Sequence, residues 1–277
     1  IYVTAMSISE TGQYQLISTY NSYIYISTNY GSSWSQTNNT VSNWVSISMS
    51  SSGQYITAVT SGVSGEVYTS SNYGSNWTLV SNLSGNWISI SLSTTGQYQT
   101  LVSSGNNGAI YTSNNYGASW ILVPSLTNDW QSVSMSSSGQ YQTCCVQYSS
   151  IVYISNNYGL NWSPINIATN SYTNFSSVSV SGSGQYQTAV VNGVGGLIYI
   201  STNYGLSWSS VTNMTGNWTS VAVSQTGQYQ IASNSGNNIY LSIATNGGPT
   251  GIQGPTGVGS TGQQGPTGVG STGQQGP

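Results

Sequence analysis

Three carboxylates, Glu10, Glu66 and Asp129, are the only charged side chains in the 277 residues, and any acid–base chemistry must start from them. Hydrolysis of a glycosidic bond needs two carboxyl groups facing one bond, one to protonate the leaving oxygen and one to activate water or attack. Here the three fall in unrelated slots of a repeating pattern. Glu10 precedes the turn at Gly12, where other repeats hold Ser51, Thr94 or Gln225. Glu66 leads into a short strand, and Asp129 takes the slot of Asn43, Asn86 and Asn217. All three read as solvated turn residues. Serine and threonine abound, but the chain has no His or Lys to activate a hydroxyl as a nucleophile. Without His or grouped carboxylates the sequence offers no metal site beyond a weak, carbonyl-ligated cation. The expectation is therefore no enzyme, no cofactor and no metal. Cys144 and Cys145 are adjacent, so on a strand their side chains point to opposite faces. A vicinal redox pair is one reading. The preferred one is a pair of small apolar substitutes, because aligned repeats carry Ala58, Leu101 and Ala189 at the first position and Val59, Val102 and Val190 at the second.

The absence of Lys and Arg excludes whole classes of partner. Nucleic-acid binding rests on cations that displace counterions from phosphate. A polybasic membrane patch fails for the same reason. No apolar stretch approaches the ~20 residues of a spanning helix, so no membrane insertion is expected. A net charge of −3 gives little colloidal repulsion and favours association. Nine Trp and 22 Tyr nevertheless supply the apolar surface of a packed fold rather than a disordered chain. The chain opens inside a strand pattern and stops inside a glycine repeat, which reads as a processed or incomplete form.

The elements that position these residues are repeats. G-Q-Y begins at Gly12, Gly53, Gly96, Gly139, Gly184 and Gly227, with spacings of 41, 43, 43, 45 and 43 residues, the length of a four-stranded propeller blade. Ahead of each G-Q-Y runs a segment such as Trp44-Val45-Ser46-Ile47-Ser48-Met49, apolar at every second place, which is the strand period. A second strand follows the G-Q-Y turn, then a short third strand such as Ile24–Ser27, a tight Asn-Tyr-Gly turn and a Trp-led fourth strand. No segment has helical periodicity. The expected fold is all-β: a six-bladed β-propeller of four-stranded antiparallel blades over residues 1–246, closed as a ring because neither end looks like a polar cap. The sixth repeat has no Trp-led fourth strand, which leaves its outer strand absent or supplied by another segment.

Five turns read S-x-N-Y-G-x-x-W. Their residues are Asn29, Gly31 and Trp34; Asn72, Gly74 and Trp77; Asn115, Gly117 and Trp120; Asn157, Gly159 and Trp162; and Asn203, Gly205 and Trp208. This pattern resembles the Asp-box, or bacterial neuraminidase repeat, of sialidase-like and sortilin-like propellers, with Asn where that family usually has Asp. The resemblance covers about 240 residues. It implies a structural hairpin away from any catalytic centre, in which Asn bonds the turn backbone, Gly supplies a positive φ and Trp packs the turn onto its blade. Sialidases grip a substrate carboxylate with an arginine cluster, and this chain has no arginine, so that chemistry is not carried over. The whole repeat also looks like repeat proteins of giant viruses and some microbes.

From Gly248 the composition changes to Gly-Pro-Thr in G-X-Y register, and an eleven-residue unit, G-P-T-G-V-G-S-T-G-Q-Q, starts at Gly254 and again at Gly265. Only glycine fits the axis of a collagen triple helix. Residues 247–277 are therefore read as an extended collagen-like, polyproline II stem, similar to the G-P-T repeats of viral and spore-surface fibres. Each unit contains one short step, such as Gly257-Val258-Gly259, that would perturb a triple helix.

N-x-[ST] acceptors stand at Asn38, Asn76, Asn82, Asn161, Asn174, Asn213 and Asn217, of which Asn38, Asn82 and Asn213 occupy equivalent positions in the loops from a fourth strand to the next blade and are the glycosylation candidates. Thr256 and Thr267 are candidates for O-linked sugar. These features together lead to a non-enzymatic structural subunit of an extracellular or virion-surface fibre, a glycoprotein that forms homo-oligomers, trimers or filaments, through its tail. The alternative is an adhesin whose propeller face binds a glycan or protein receptor. A receptor site should break the repeat symmetry, which directs attention to the loops 166–175 and 193–197.

Overall fold

The β-branched and aromatic alternation of each repeat yields strands throughout the computed structural model, which describes residues 2–168, 173–236, 239–245 and 248–253. Six four-stranded antiparallel sheets each take their strands in sequence order, which makes the chain a six-bladed β-propeller. The inner strands are Val3–Ile8, Trp44–Met49, Trp87–Leu92, Trp130–Met135, Phe175–Val180 and Trp218–Val223. Each has a register shift beside its first residue, a bulge at the leading residue, which is aromatic in five of the six. Trp44, Trp87, Trp130 and Trp218 are buried there, and each indole N–H donates to a loop carbonyl, of Ser22, Gly65, Gly108 and Gly196 respectively. Gly108 is obligatory at that approach, because a Cβ would collide with the carbonyl oxygens of Ser103 and Asn128.

The hydrophobic core is divided among the blade junctions. Five buried clusters occupy the five junctions between consecutive blades; the first joins Leu16, Ile24 and Ile26 of blade one to Ile47, Met49 and Ile56 of blade two. Two kinds of polar bond accompany them. Around the axis the amide N–H groups of Glu10, Ser51, Thr94, Ser137 and Gly182 donate in turn to the carbonyls of Ser51, Thr94, Ser137, Gly182 and Gln225. Deeper in the sheets, Thr57 donates to Gln99 Oε1, Thr100 to Gln142, Thr143 to Gln187 and Thr188 to Gln230, all at 2.6–2.7 Å between buried groups. The first junction departs from this pairing: Leu16 replaces the threonine and Ile56 the glutamine, and both are buried.

The sixth junction, between blade six and blade one, is not packed in this way. Met6 and Ile8 are 74% and 60% exposed, where their counterparts Ile47 and Met49 are 5% and 7% exposed. On blade six, Ile231 is 42% exposed, where Leu16 is fully buried. The axial ladder ends at the Gln225 carbonyl. The expected ring closure is thus made at five junctions and left open at the sixth.

The outer strand of blade six is a further departure. Gly248–Gln253, read from sequence as the start of the stem, pairs antiparallel with Ile239–Thr245, from Tyr240 opposite Gln253 to Thr245 opposite Gly248. An outer strand has a free edge, so Pro249 can sit there without costing a ladder bond. The rest of the stem, 254–277 with Thr256 and Thr267, lies outside the described residues.

Candidate functional site

Two of the three carboxylates are engaged by neighbouring groups. Asp129 Oδ1 accepts the N–H of Gly105 at 2.6 Å, as Asn86 and Asn217 accept those of Gly62 and Gly193. Blade one has a shorter loop at that point, and Asn43 Oδ1 is left buried without a partner. Glu66 Oε2 accepts the hydroxyl of Tyr68 at 2.8 Å. Burial raises the Tyr68 phenol above its ordinary pKa, and the neighbouring Glu66 adds to the rise against a lowering bond from Thr40. Glu10 lies at the axis and is exposed.

The axis holds a cavity of about 520 Å3 to which all six blades contribute. An apolar tier, including Ile8, Met49, Leu92 and Met135, lies against a polar tier that includes Glu10, Ser137 and Gln225. Ser137 donates across this mouth to Gln225 Oε1 at 2.7 Å, passing over Gly182, where a Cβ would obstruct it. Glu10 is the one carboxylate lining the cavity, and Glu66 and Asp129 do not reach it. Among the described residues no group of three or more His, Cys, Asp or Glu could hold a metal ion.

A second cavity, of about 320 Å3, breaks the repeat symmetry. It is lined by Thr173, Asn174, Val191, Asn192, the run Gly193-Val194-Gly195-Gly196, Leu197 and Tyr199. The two divergent loops singled out in the sequence are thereby brought to one place, although residues 169–172 of the first lie outside the described set. The lining carries no charge, and Val194 is fully exposed on its rim.

The five S-x-N-Y-G-x-x-W turns share one geometry. In the first, Ser27 Oγ donates to Asn29 Oδ1 and accepts from Gly31 N–H, while Asn29 Oδ1 accepts from Ser33 N–H. The same bonds recur around Asn72, Asn115, Asn157 and Asn203. The indoles of Trp77, Trp120, Trp162 and Trp208 donate to the carbonyls of Gly74, Gly117, Gly159 and Gly205, while Trp34 is exposed. The sequence led to a positive φ at glycine, with Asn also tolerant of it. Here Tyr30, Tyr73, Tyr116, Tyr158 and Tyr204 adopt it too, with φ of 59–64°. Four of these rings meet the G-Q-Y tyrosine of the preceding blade, as in Tyr14–Tyr73 and Tyr98–Tyr158, at centroid distances of 4.4–4.8 Å. Tyr30 keeps the same φ although its ring is exposed, so the turn itself sets this backbone and the ring contacts tie neighbouring blades together.

Cys144 and Cys145 are free and fully buried on opposite faces of one strand. Burial pushes both thiols up, Cys145 to about 12. Asn38, Asn82 and Asn213 are all exposed, each between an outer strand and the next blade.

No protein-family model matches the chain, and no curated protein matches it in sequence. Solved structures do match in fold. An ancestral GH74 enzyme superposes with a TM-score of 0.70 at 19% identity, over 90% of this chain and 37% of that one. A GH74 xyloglucanase from Xanthomonas campestris gives 0.70 at 14% identity, over 91% of this chain and 45% of the other. YCF48 from Cyanidioschyzon merolae gives 0.68 at 15%, over 93% and 87%. The chain thus spans less than half of the GH74 structures it resembles. Identities this low show the fold and no activity. They do correct one expectation: that the chain is not an enzyme. That exclusion rested on three scattered carboxylates and on missing His, Lys and Arg, whereas the same blade architecture carries glycoside hydrolases among its structural neighbours.

Proposed function

We propose that the chain is a surface-exposed module of an extracellular or virion-surface fibre, with the propeller as a rigid head and the Gly-rich tail as an assembly stem. The observation that carries this reading is the pairing of Gly248–Gln253 with blade six. A segment already in G-X-Y register is anchored by a full strand ladder, so tension on a stem would be borne by the sheet rather than by a loose linker. A collagen-like triple helix beyond Gln253 would make the head trimeric. The reading includes three finer assignments: the five Asn-Tyr-Gly turns are Asp-box turns, Asn38, Asn82 and Asn213 carry glycans, and copies associate through the tail. Electron microscopy of the full chain beside a chain stopped after Gln253 tests it. Trimers or filaments are expected from the full chain only, and single particles from both would end the fibre reading.

The symmetry-breaking cavity favours a second reading, an adhesin that binds a glycan. Its uncharged lining of Asn, Thr and Gly suits a neutral sugar, whose hydroxyls would bond amide and backbone groups. Xyloglucan, the polymer named for one structural neighbour, is the first neutral glycan to titrate. Binding should be lost in Val194→Asp and retained in Val63→Asp, a matching loop residue on another blade. Product release followed in the same samples, with Glu10→Gln as the comparison, tests catalysis at the axial cavity.

A further inference from the structure

The two exposed faces at the open junction do not match each other, and their mismatch specifies what does fit. In every blade the forward face presents an inner-strand residue and a second-strand residue opposite it: Ser7 with Leu16, Ser48 with Thr57, Ser91 with Thr100, Ser134 with Thr143, Ser179 with Thr188, and Ala222 with Ile231. The backward face presents Gln15, Ile56, Gln99, Gln142, Gln187 or Gln230. At four junctions threonine meets glutamine; at the first, leucine meets isoleucine. The inner-strand serines add a second bond: Ser7, Ser134 and Ser179 accept the N–H groups of Met49, Val180 and Val223.

Direct contact of blade six with blade one would set Ile231 against Gln15 and would place Ala222, which has no hydroxyl, against the N–H of Ile8. Gln15 already bonds the Gly12 carbonyl through its Nε2, so burial without a threonine would strand its Oε1. A buried acceptor without a donor costs ~1–3 kcal/mol. Head-to-tail contact between two copies of this chain would make the same mismatch. A fitting occupant needs an apolar residue at the glutamine position, to meet Ile231, and serine and threonine on its forward face, to meet blade one. Blade two has this combination: Ile56 backward, Ser48 and Thr57 forward.

We propose that the open junction is the docking site for a seventh blade of this repeat, of the blade-two type, seated between blades six and one. The argument is continuity with an interface formed five times in the same molecule: the exposed faces carry the two halves of that interface, including Tyr229 and Tyr30, which stand ready for the inter-blade tyrosine contact. It is independent of the fibre and adhesin readings.

The test is a full chain carrying a second copy of residues 44–84 directly ahead of Ile1, beside a control carrying residues 87–127 of blade three, whose Gln99 would face Ile231. Hydrogen exchange is read at Val3–Ile8 and Tyr229–Asn234. The blade-two copy is expected to slow exchange in both segments by at least about tenfold, and the blade-three copy by clearly less. Equal protection by both copies, or by neither, overturns the proposal. So does protection of both segments in the unextended chain equal to that in the blade-two fusion, whether through direct closure or through self-association. Should a fusion fail to fold, the unextended Ala222→Ser/Ile231→Thr variant provides the second measurement. That variant supplies the partners Gln15 and Ile8 lack, so its seam should become protected while that of the parent stays open; no difference between the two overturns the matching rule.

Discussion

Cys144 and Cys145 show how far the role of a side chain follows from its repeat column. Both occupy columns that hold Ala58, Leu101 and Ala189 or Val59, Val102 and Val190 in the neighbouring repeats, and both are buried with raised thiol pKa values. In the native protein at about pH 8 neither thiol should react with an aromatic disulfide reagent, while the unfolded chain should titrate two. A folded-state pKa above the unfolded one gives stability that is complete below the unfolded value of about 9.0 and is lost as the pH climbs towards about 12. The urea midpoint should therefore fall from about pH 9 upward, and Cys144→Ala/Cys145→Val should flatten that fall. A midpoint independent of pH in the parent would contradict the burial argument. Asp129, read from sequence as a solvated turn residue, instead caps a loop by accepting the N–H of Gly105, as Asn86 and Asn217 of its column do for theirs. The positive φ of Tyr30 and its equivalents was not legible, because nothing in a tyrosine side chain favours that backbone; what all five share is an N–H bond to the G-Q-Y glutamine carbonyl of the same blade, and Tyr30 keeps the conformation while its ring is exposed.

At the scale of the element, strand period and turn residues located the blades well, because apolar alternation and Gly at a tight turn are local demands. The faces between blades depend on which columns meet across a junction, and column identity alone does not show that. Thr100 and Gln142 lie 42 residues apart and share a buried bond of 2.6 Å. Thr100→Val should cost ~1–3 kcal/mol by leaving Gln142 Oε1 buried and unpaired. Thr100→Leu with Gln142→Ile, which copies the Leu16–Ile56 pair, should recover most of that loss. Urea denaturation of the singles and the double gives the coupling energy, expected to exceed ~1 kcal/mol; additive effects would show that the pair is not an energetic unit.

For the whole molecule, the count of six blades could be read from six G-Q-Y columns, but the composition break at Gly248 hid the last strand. Gly and Pro are depleted in strands, so a run of both reads as a stem. Blade six takes it all the same, because the third strand beside it would otherwise expose a full row of unpaired backbone groups. A chain stopped after Asn246 should melt several degrees below the full protein, whereas one stopped after Gln253 should melt with it. Differential scanning calorimetry decides this, and equal melting of the two truncations would remove Gly248–Gln253 from the fold.

The threonine–glutamine register also bears on how such an array changes over generations. Blades three, four and five each present glutamine behind and threonine ahead, so they are interchangeable parts. Unequal recombination within that stretch would add or delete a blade without creating a single unmatched contact. Blades one and two are bound together differently, since Leu16 and Ile56 must alter in concert. Gain or loss of a blade is thereby best tolerated in the middle of the array, where the faces match.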